Sequence, residues 1–410
     1  MLQDGHADDV VLLSWSAHGL QTLVDSMHGF CDSMALTISP TKTEVVVFHG
    51  PAAGSWHVDG QVLPVSTSFK YLGLVFHESG SLAAALNRLL QNGHGARARL
   101  AAKYKALGCD SSFAMMRRLF AAVVKPTVAY GCEIWGTLCV GNMAPELRKM
   151  AEVQLAFYRQ TLHLKKAVPA HLILAELDEV PWVGSWWSQI LGFLQKLANL
   201  AGDALHAEIL RDDVHDARVD PSCGNWAAGV DKMYSSLGMQ SPFLGPAGVG
   251  AVDPHTFRRN MGDAYKRNWA DLHDSPRTAP SARAKSCTYL RWFARPGRMP
   301  AEPYFELPIS LSKLRRLMQF RLGSHDLPIE QGRMARPVVP RYLRRCTLCS
   351  RHAPGDERHF MLECPQFDGI RAQYPDLLQD ARDSMRNLMW HRNQKALSDF
   401  VIAILDQPRT

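Results

Sequence analysis

Two cysteines, a histidine and a further cysteine lie close together near the C-terminal end of the sequence. Two residues separate Cys346 from Cys349, nine separate Cys349 from His359, and four separate His359 from Cys364. Thiolate sulfur and imidazole nitrogen are the ligands that Zn²⁺ prefers in tetrahedral sites, and four protein ligands leave no open position for a substrate. The spacing therefore predicts a structural zinc site, which requires residues 346–364 to fold back on themselves.

Two alternatives to this ligand set remain open at this point. His352 could replace His359, although only two residues separate it from Cys349, which would strain the loop. The cysteines could also be buried free thiols, as is common for unpaired cysteine. The other six cysteines have no paired spacing, and we interpret them as reduced, buried thiols: Cys31, Cys109, Cys132, Cys139, Cys223 and Cys287.

Basic residues are concentrated beside the first cysteine pair. Residues 313–351 include ten lysines and arginines but only two acidic residues, whereas the formal net charge of the whole chain is +7. Arginine clusters neutralise phosphates, and aromatic side chains such as Tyr342 and Phe360 can stack on unpaired bases. A solvated helix face accounts for Lys313–Arg316 but less well for the arginines next to Cys346. We therefore predict a nucleic-acid contact that includes Arg333, Arg336, Arg341, Arg344 and Arg345.

Hydrophobic periodicity predicts a mainly α fold with a small α+β unit at its N-terminal end. In residues 1–80, three β-rich runs surround one amphipathic helix at 20–30; the runs are 10–13, 44–48 and 69–76. Residues 81–201 show helical periodicity, and Pro126 is expected to end the second helix. The predicted helices are 82–107, 113–124, 145–164 and 183–200.

The remaining chain divides into two predicted segments. Residues 202–310 are richer in Gly, Pro, Ser and Asp, and we expect a partly irregular connector there. Residues 311–410 combine an amphipathic helix at 311–322, the basic stretch, the Cys/His set and a helix at 384–405.

Several classes of protein are excluded by what the sequence lacks. Apolar and charged fractions of 46% and 21% indicate a folded, soluble protein. We expect no membrane association, because no apolar run reaches the roughly 18 residues of a spanning helix. Residues 1–9 do not resemble a secretory leader, so we expect an intracellular location, in the cytoplasm or nucleus. No Gly-rich phosphate loop, Ser/His/Asp set or HExxH string supports another enzyme class.

Three motifs near the N-terminal end resemble those of LINE-type (non-LTR) retrotransposon reverse transcriptases. The adjacent acids Asp8 and Asp9 enter an apolar strand, Lys42–Glu44 reads Lys-Thr-Glu, and Phe69–Gly73 contains Tyr-Leu-Gly. Taken singly, each has a common structural explanation: a solvated turn pair, a turn lysine, and a buried strand with a bulge glycine. Together they stand in the order of the family's palm motifs.

The resemblance implies roles for these residues. Asp8 and Asp9 would lie at a hairpin turn beside catalytic Mg²⁺, and Lys42 would lie near the leaving pyrophosphate. The hairpin under the primer end, the primer grip, would contain Phe69, Tyr71, Leu72 and Gly73.

The C-terminal half resembles the same family. Phe320–Arg333 is similar to the segment that leads into the family's Cys-Cys-His-Cys zinc knuckle, and Ala175–Leu177 with Pro181 is similar to its post-thumb region. The implied organisation is a partial palm (1–80), a helical thumb (81–201), the connector and a knuckle region. Implied partners are an RNA template and target DNA.

The family's fingers, first catalytic aspartate and nucleotide-binding motifs lie upstream of the palm motifs found here. We therefore expect a fragment or decayed copy of an RNA-directed DNA polymerase, inactive by itself, with Mg²⁺ used only in a complete polymerase. The alternative is a non-catalytic, zinc-supported nucleic-acid-binding protein, or a helical interaction protein with a structural zinc. The sequence predicts no oligomeric state.

Overall fold

The structure is a computed structural model that is predominantly helical, with a few short strands. It describes residues 2–6, 9–51, 54–108, 112–139, 145–200, 204–243, 256–257, 259–263, 280–294 and 303–407. The chain forms two compact units, Met1–Asn92 and Gly93–Thr410. Among the described residues, no helix has the length and apolarity needed to cross a membrane.

The first unit begins with an antiparallel hairpin and one helix. Strands β1 (Leu2–His6) and β2 (Asp9–Leu13) pair with each other, and helix α1 (Ala17–Ser33) follows. The helix begins after Ser16, whose Oγ accepts from the Gly19 N–H and satisfies one of the free donors of the first turn. The helix at 20–30 is thus confirmed and extended at both ends.

A small hydrophobic cluster holds this unit together. Its buried members are Val24, Val45, Trp56, Val58 and Leu63. The Trp56 indole Nε1–H donates to the Ala17 carbonyl at 3.0 Å, and Gln21 Nε2 donates to the carbonyl of His57. These bonds fix α1 against the hairpin of β3 (His57–Val58) and β4 (Gln61–Val62).

The strand predicted at 44–48 is wrong. Val45 forms only a single parallel bridge with Val65 in the structure. The Val45 N–H donates to the Pro64 carbonyl. Because Pro64 has no N–H, the ladder cannot extend from Val45 towards residue 43, and residues 46–48 form no strand in the other direction.

The run predicted at 69–76 is a hairpin of β5 (Ser68–Tyr71) and β6 (Leu74–His77). Leu72 and Gly73 form its turn, with φ of 46° and 87°. Positive φ at both turn residues suits the right-handed twist of a two-residue hairpin, and Gly73 adopts that conformation without steric cost.

Helices make up most of the rest of the described chain. They are α2 (Ala83–Ala106), α3 (Phe113–Ala129), α4 (Cys132–Trp135), α5 (Pro145–Leu162), α6 (Ala170–Leu177), α7 (Trp182–Ala198), α8 (Leu205–Val219), α9 (Trp226–Ser236), α10 (Pro280–Trp292), α11 (Leu311–Arg321), α12 (Pro328–Met334), α13 (Asp368–Arg371), α14 (Pro375–Ala381), α15 (Met385–Met389) and α16 (Gln394–Leu405).

Helix α3 continues through Pro126 to Ala129, so the prediction that this proline ends the helix is wrong. Proline removes the hydrogen bond to the carbonyl four residues earlier. That residue, Ala122, is exposed, and water can therefore satisfy its carbonyl. A Cβ on Gly93 of α2 would lie 2.4 Å from Val128 Cγ2, so Gly93 allows α2 to approach α3 closely.

Helices α8 and α9 lie in the range predicted as a partly irregular connector. They pack with α7 around one hydrophobic cluster, which includes Ile190, Leu194, Leu210, Val214, Val230 and Met233. The periodicity of α8 is easily missed, because only Leu210, Val214 and Ala217 of its fifteen residues are buried. Residues 202–203, 244–255, 258, 264–279 and 295–302 of the predicted connector lie outside the described part of the chain.

The helix predicted at 384–405 is divided into α15 and α16. Between them, His391 Nδ1 accepts from the Asn393 N–H, and Asn393 Oδ1 accepts from the Ala396 N–H and caps α16. The asparagine cap explains why a new helix begins there.

Candidate metal centre and the surface beside it

Four potential ligand atoms, from Cys346, Cys349, His359 and Cys364, lie within 4.8 Å of one another. The sulfurs of Cys346 and Cys364 are 3.9 Å apart, and the sulfur of Cys349 is 3.4 Å from His359 Nε2. Ligands of a tetrahedral zinc ion with bonds of about 2.0–2.3 Å lie roughly 3.5–3.8 Å apart. The four side chains could therefore bind one metal ion with little rearrangement.

Two local turns bring the ligands together. In the first, the Cys346 N–H donates to the Ala353 carbonyl, and the Leu348 N–H points at Cys346 Sγ, 3.4 Å away. In the second, one turn of π-helix spans His359–Glu363, and the Cys364 N–H donates to the His359 carbonyl at 2.7 Å. The wide turn places His359 and Cys364 side by side, and such turns recur at functional sites.

His352, the alternative ligand, does not belong to this cluster. Its side chain is exposed, and its φ of 51° lies in the left-handed region at the tip of the loop. The ligand set with His359 is the one that the structure brings together.

The environment of the cluster suits a bound cation. Cys346, His359 and Cys364 are buried. Burial raises the pKa of the Cys346 thiol and raises that of Cys364 to about 12. Burial also lowers the pKa of His359 and favours the neutral imidazole that binds metals. A divalent cation would stabilise the thiolates that burial disfavours, so the donor set fits a metal.

Charged side chains lie close to His359. Its Nδ1 lies 3.6 Å from Glu363 Oε2, just beyond hydrogen-bond length, while Nε2 faces Cys349. The backbone N–H of His359 donates to Asp356 Oδ1 at 3.0 Å, and the Arg341 guanidinium donates to the other oxygen of that carboxylate at 2.6 Å. Glu363 thus lies near the ring nitrogen that faces away from Cys349, and a carboxylate that accepts a hydrogen bond from that nitrogen would orient the ring of a ligating histidine.

The candidate centre is joined to the helices of the second unit. Glu357 is buried against His325, with 3.1 Å between Oε1 and Nε2. Burial raises the pKa of Glu357, but the hydrogen bond and charge of His325 outweigh that effect and lower it overall. The neighbouring Ser324 Oγ accepts from the N–H of Lys165, which follows α5. The centre is therefore built into the helical fold.

The five predicted contact arginines have different environments. Arg333 is buried and pairs with Glu330, which also lies 3.0 Å from the ammonium of buried Lys285. The Arg344 guanidinium is half-buried and donates to the carbonyls of Val339 and Ile329. The guanidinium groups of Arg333 and Arg344 thus bind other parts of the same fold.

The other three arginines are exposed. Arg341 pairs with Asp356, yet 56% of its side chain remains accessible. Arg336 and Arg345 have no ion-pair partner among the described residues. Of the two nearby aromatic residues, Phe360 is 1% exposed and Tyr342 is 69% exposed.

The N-terminal motif residues are described only in part. Asp8 lies outside the described residues, and Asp9 begins β2 opposite His6. Lys42 is exposed in a turn in which its N–H donates to the Ser39 carbonyl. The part of the chain that the structure describes contains no second group of three or more acidic, His or Cys side chains placed to hold a metal.

The predicted primer-grip residues lie on the β5–β6 hairpin. Phe69 stacks on Phe76 across the hairpin, with ring centroids 5.3 Å apart, and Tyr71 pairs with Leu74. Leu72 and Gly73 are exposed at its turn.

A second basic surface was missed by the sequence analysis. Residues 79–132 contain eight lysines and arginines but only one acidic residue, so a count of charges in this window would have found it. Within the second unit, four of these side chains on α2 and α3 are exposed and have no ion-pair partner among the described residues: Arg99, Lys103, Lys105 and Arg118.

No protein-family model, curated protein or solved structure matches this chain.

Proposed function

We propose that this protein binds nucleic acid through a surface supported by a structural zinc ion. The observation that carries the proposal is the convergence of three sulfurs and one imidazole nitrogen within 4.8 Å, beside exposed arginines that have no ion-pair partner in the described part of the chain. Three thiolates and one imidazole favour zinc over hard cations, and the closed ligand set favours a structural role over a catalytic one.

The contact surface is the exposed part of the segment before the first cysteine. We call it the knuckle surface; it consists of Arg336, Val338, Arg341, Tyr342, Leu343 and Arg345. No acidic residue occurs between residues 331 and 355. Arginines without carboxylate partners attract phosphates and release condensed counterions on binding, so a polyanion is the ligand that this charge pattern fits.

The test compares two variants of the full chain that each lose two positive charges. Arg336→Ala/Arg345→Ala removes the unpaired arginines of the knuckle surface, and Arg392→Ala/Lys395→Ala removes exposed charges near α16. Fluorescence anisotropy with labelled RNA and DNA oligonucleotides gives the affinity over a range of salt concentrations.

We expect steeply salt-dependent binding. The slope of log K against log salt should become shallower by about 0.7 for each phosphate of a single strand that the protein no longer neutralises. The knuckle variant should show this shallower slope and the control variant should not. Salt-insensitive binding, or equal changes in both variants, would contradict the proposal.

The first unit supports a second proposal, that its motifs derive from the palm of a retrotransposon RNA-directed DNA polymerase. The supporting observations are the β1–β2 hairpin, whose second strand begins at Asp9, the β5–β6 hairpin with its Leu72–Gly73 turn, and the motif order. On this proposal the nucleic acids are an RNA template and target DNA inside the cell, and Mg²⁺ acts only in a complete polymerase. A primer-extension assay with dNTPs and Mg²⁺ tests it: we expect binding without synthesis, whereas synthesis abolished by Asp9→Asn would make the chain itself a polymerase.

A further inference from the structure

We infer that the knuckle surface binds its nucleic acid as an unpaired strand, with a base stacked on the ring of Tyr342. The inference rests on the proposed nucleic-acid binding and adds the class of strand and the residue that contacts the bases.

Tyr342 combines a fixed backbone with a ring in solvent. It lies in the single 3₁₀ turn Arg341–Leu343, which follows Pro340. The Val339 N–H donates to the Gly332 carbonyl at 2.9 Å, and Arg344 donates back to the Val339 carbonyl at 2.7 Å. The surrounding chain is thus held in place, while 69% of Tyr342 is accessible to water.

The other aromatic residue near the metal ligands is unsuitable for stacking on a base. Phe360 packs on Phe367 with ring centroids 5.4 Å apart and is buried. Its removal would damage the core instead of a contact surface.

The neighbours of Tyr342 in the chain indicate the type of ligand. Val338 and Leu343 are 61% and 51% exposed, so apolar and basic side chains alternate on the knuckle surface. The Arg345 Nε–H donates to the Tyr342 carbonyl at 3.3 Å, which keeps this guanidinium beside the tyrosine. A ligand that satisfies both kinds of side chain needs anionic groups and exposed apolar faces at short intervals.

An unpaired nucleic-acid strand has both features. Its phosphates suit Arg336 and Arg345, and its base faces suit the ring of Tyr342 and the aliphatic side chains. In a duplex the base faces are stacked on one another, and reading the edges requires an element that fills a groove about 12 Å wide. A three-residue turn is too short to do so.

The experiment measures the binding of the full chain to three probes of equal length by anisotropy. They are single-stranded oligouridine, a hairpin duplex and a strand of abasic residues, which keeps the phosphates and lacks the bases. Tyr342→Ala removes the ring and Tyr342→Phe retains it. Trp15→Ala, at a fully exposed tryptophan of the first unit, is the matched control.

We expect oligouridine to bind more tightly than the abasic strand or the duplex. Tyr342→Ala should weaken oligouridine binding by about 5- to 150-fold, because base stacking on an aromatic ring contributes that much per base. The salt dependence of binding should be the same for Tyr342→Ala as for the parent protein, because tyrosine carries no charge. Tyr342→Phe and Trp15→Ala should bind like the parent protein.

Equal affinity for the abasic strand, or unchanged binding by Tyr342→Ala, would overturn the inference while leaving the proposed nucleic-acid binding intact. Displacement of the RNA by polyglutamate at equal charge would also overturn it, because an acidic protein segment would then fit the surface as well. Failure to bind any of the three probes would instead overturn the proposed function.

Discussion

The carboxylate of Glu176 on α6 is completely buried against the guanidinium of Arg321 on α11. Glu176 also accepts hydrogen bonds from the hydroxyl groups of Tyr289 and Tyr304. The guanidinium lies over the rings of Phe293 and Tyr304, 5.4 Å and 5.3 Å from their centroids. One buried ion pair thus links four segments of the second unit.

Glu176→Gln should therefore destabilise the protein strongly. Removing one charge of a buried pair leaves the other uncompensated and costs about 3–5 kcal/mol. The measurement is the free energy of unfolding from urea denaturation. Asp326→Asn, which removes the exposed partner of Lys165, is the control and should cost less than about 1 kcal/mol. Equal costs would show that burial does not set the strength of these pairs.

Loss of one sulfur from the metal centre should abolish stoichiometric metal. We expect about one zinc per purified chain, as for a closed four-ligand site. Cys364→Ser should lose the metal and melt at a lower temperature, because a structural zinc contributes its binding free energy to folding. Elemental analysis and thermal denaturation measure the two effects. Cys223→Ser, at a cysteine outside the centre, should change neither. Cys223 and Cys287 are exposed, so the prediction that these two thiols are buried is wrong. Full zinc content in Cys364→Ser would argue against the ligand set.

Close packing around Gly355, beside the centre, predicts that any side chain at this position would destabilise the protein. A Cβ at Gly355 would lie 2.7 Å from Cγ and 2.9 Å from Cβ of Pro328, a rigid ring. The Ile329 N–H donates to the Gly355 carbonyl, so the two segments cannot separate without losing that bond. Gly355→Ala should cost about 1–3 kcal/mol, as overpacking does.

Gly369→Ala is the matched control for this substitution, since no atom lies within 4 Å of a Cβ built there. It should be neutral or slightly stabilising, because alanine suits a helix better than glycine. Urea denaturation of both variants tests the difference, and equal stabilities would contradict the crowding.

Alkaline pH should weaken the fold through buried tyrosines. Burial raises the pKa of Tyr104 to about 12, although a backbone hydrogen bond opposes this shift, and burial also raises that of Tyr234 to about 12. An unfolded tyrosine has a pKa of about 10. The stabilising contribution is therefore complete below pH 10 and is lost as the pH rises towards 12. Tyr104→Phe should flatten this decline in the free energy of unfolding between pH 9 and pH 11.5, and an unchanged decline would contradict the assignment.

The basic surface of α2 should add sequence-independent affinity for nucleic acid. Arg99, Lys103 and Lys105 are exposed and unpaired among the described residues. Their replacement by alanine should weaken RNA and DNA alike and reduce the salt dependence, because phosphate contacts carry no base information. If the triple variant instead lost a preference for one base sequence, these residues would contact bases and not only phosphates.

The sequence predicted the Cys/His cluster and the five longest helices because both depend on local spacing. The spacing of Cys346, Cys349, His359 and Cys364 selects, without any knowledge of the fold, the four side chains that the structure brings together. Helical periodicity likewise gave α2, α5, α7 and α11 to within a few residues. These features depend on residues that are close in the chain.

Features that depend on distant residues could not be predicted. Arg333 belongs to the acid-poor basic stretch, yet Glu330 and Lys285, the latter from a different helix, bury it in an ion-pair cluster. The different exposures of Tyr342 and Phe360 also arise from tertiary packing, because both are aromatic residues near the same cysteines. Local sequence indicates which residues could contact a ligand, and burial decides which of them are accessible.

The hydrogen bond between Ser324 and Lys165 connects the candidate metal centre to a segment that is distant in the chain. Isolated zinc-finger peptides fold around their metal by themselves. Here the neighbouring His325 binds Glu357 of the centre, and the π-turn packs on α16, so the centre shares its core with helices far away in the chain. A peptide cut out around the four ligands would leave that shared core in water. The centre is therefore not expected to fold when it is transplanted or excised, and gain or loss of the ion should change the stability of segments as far away as α5.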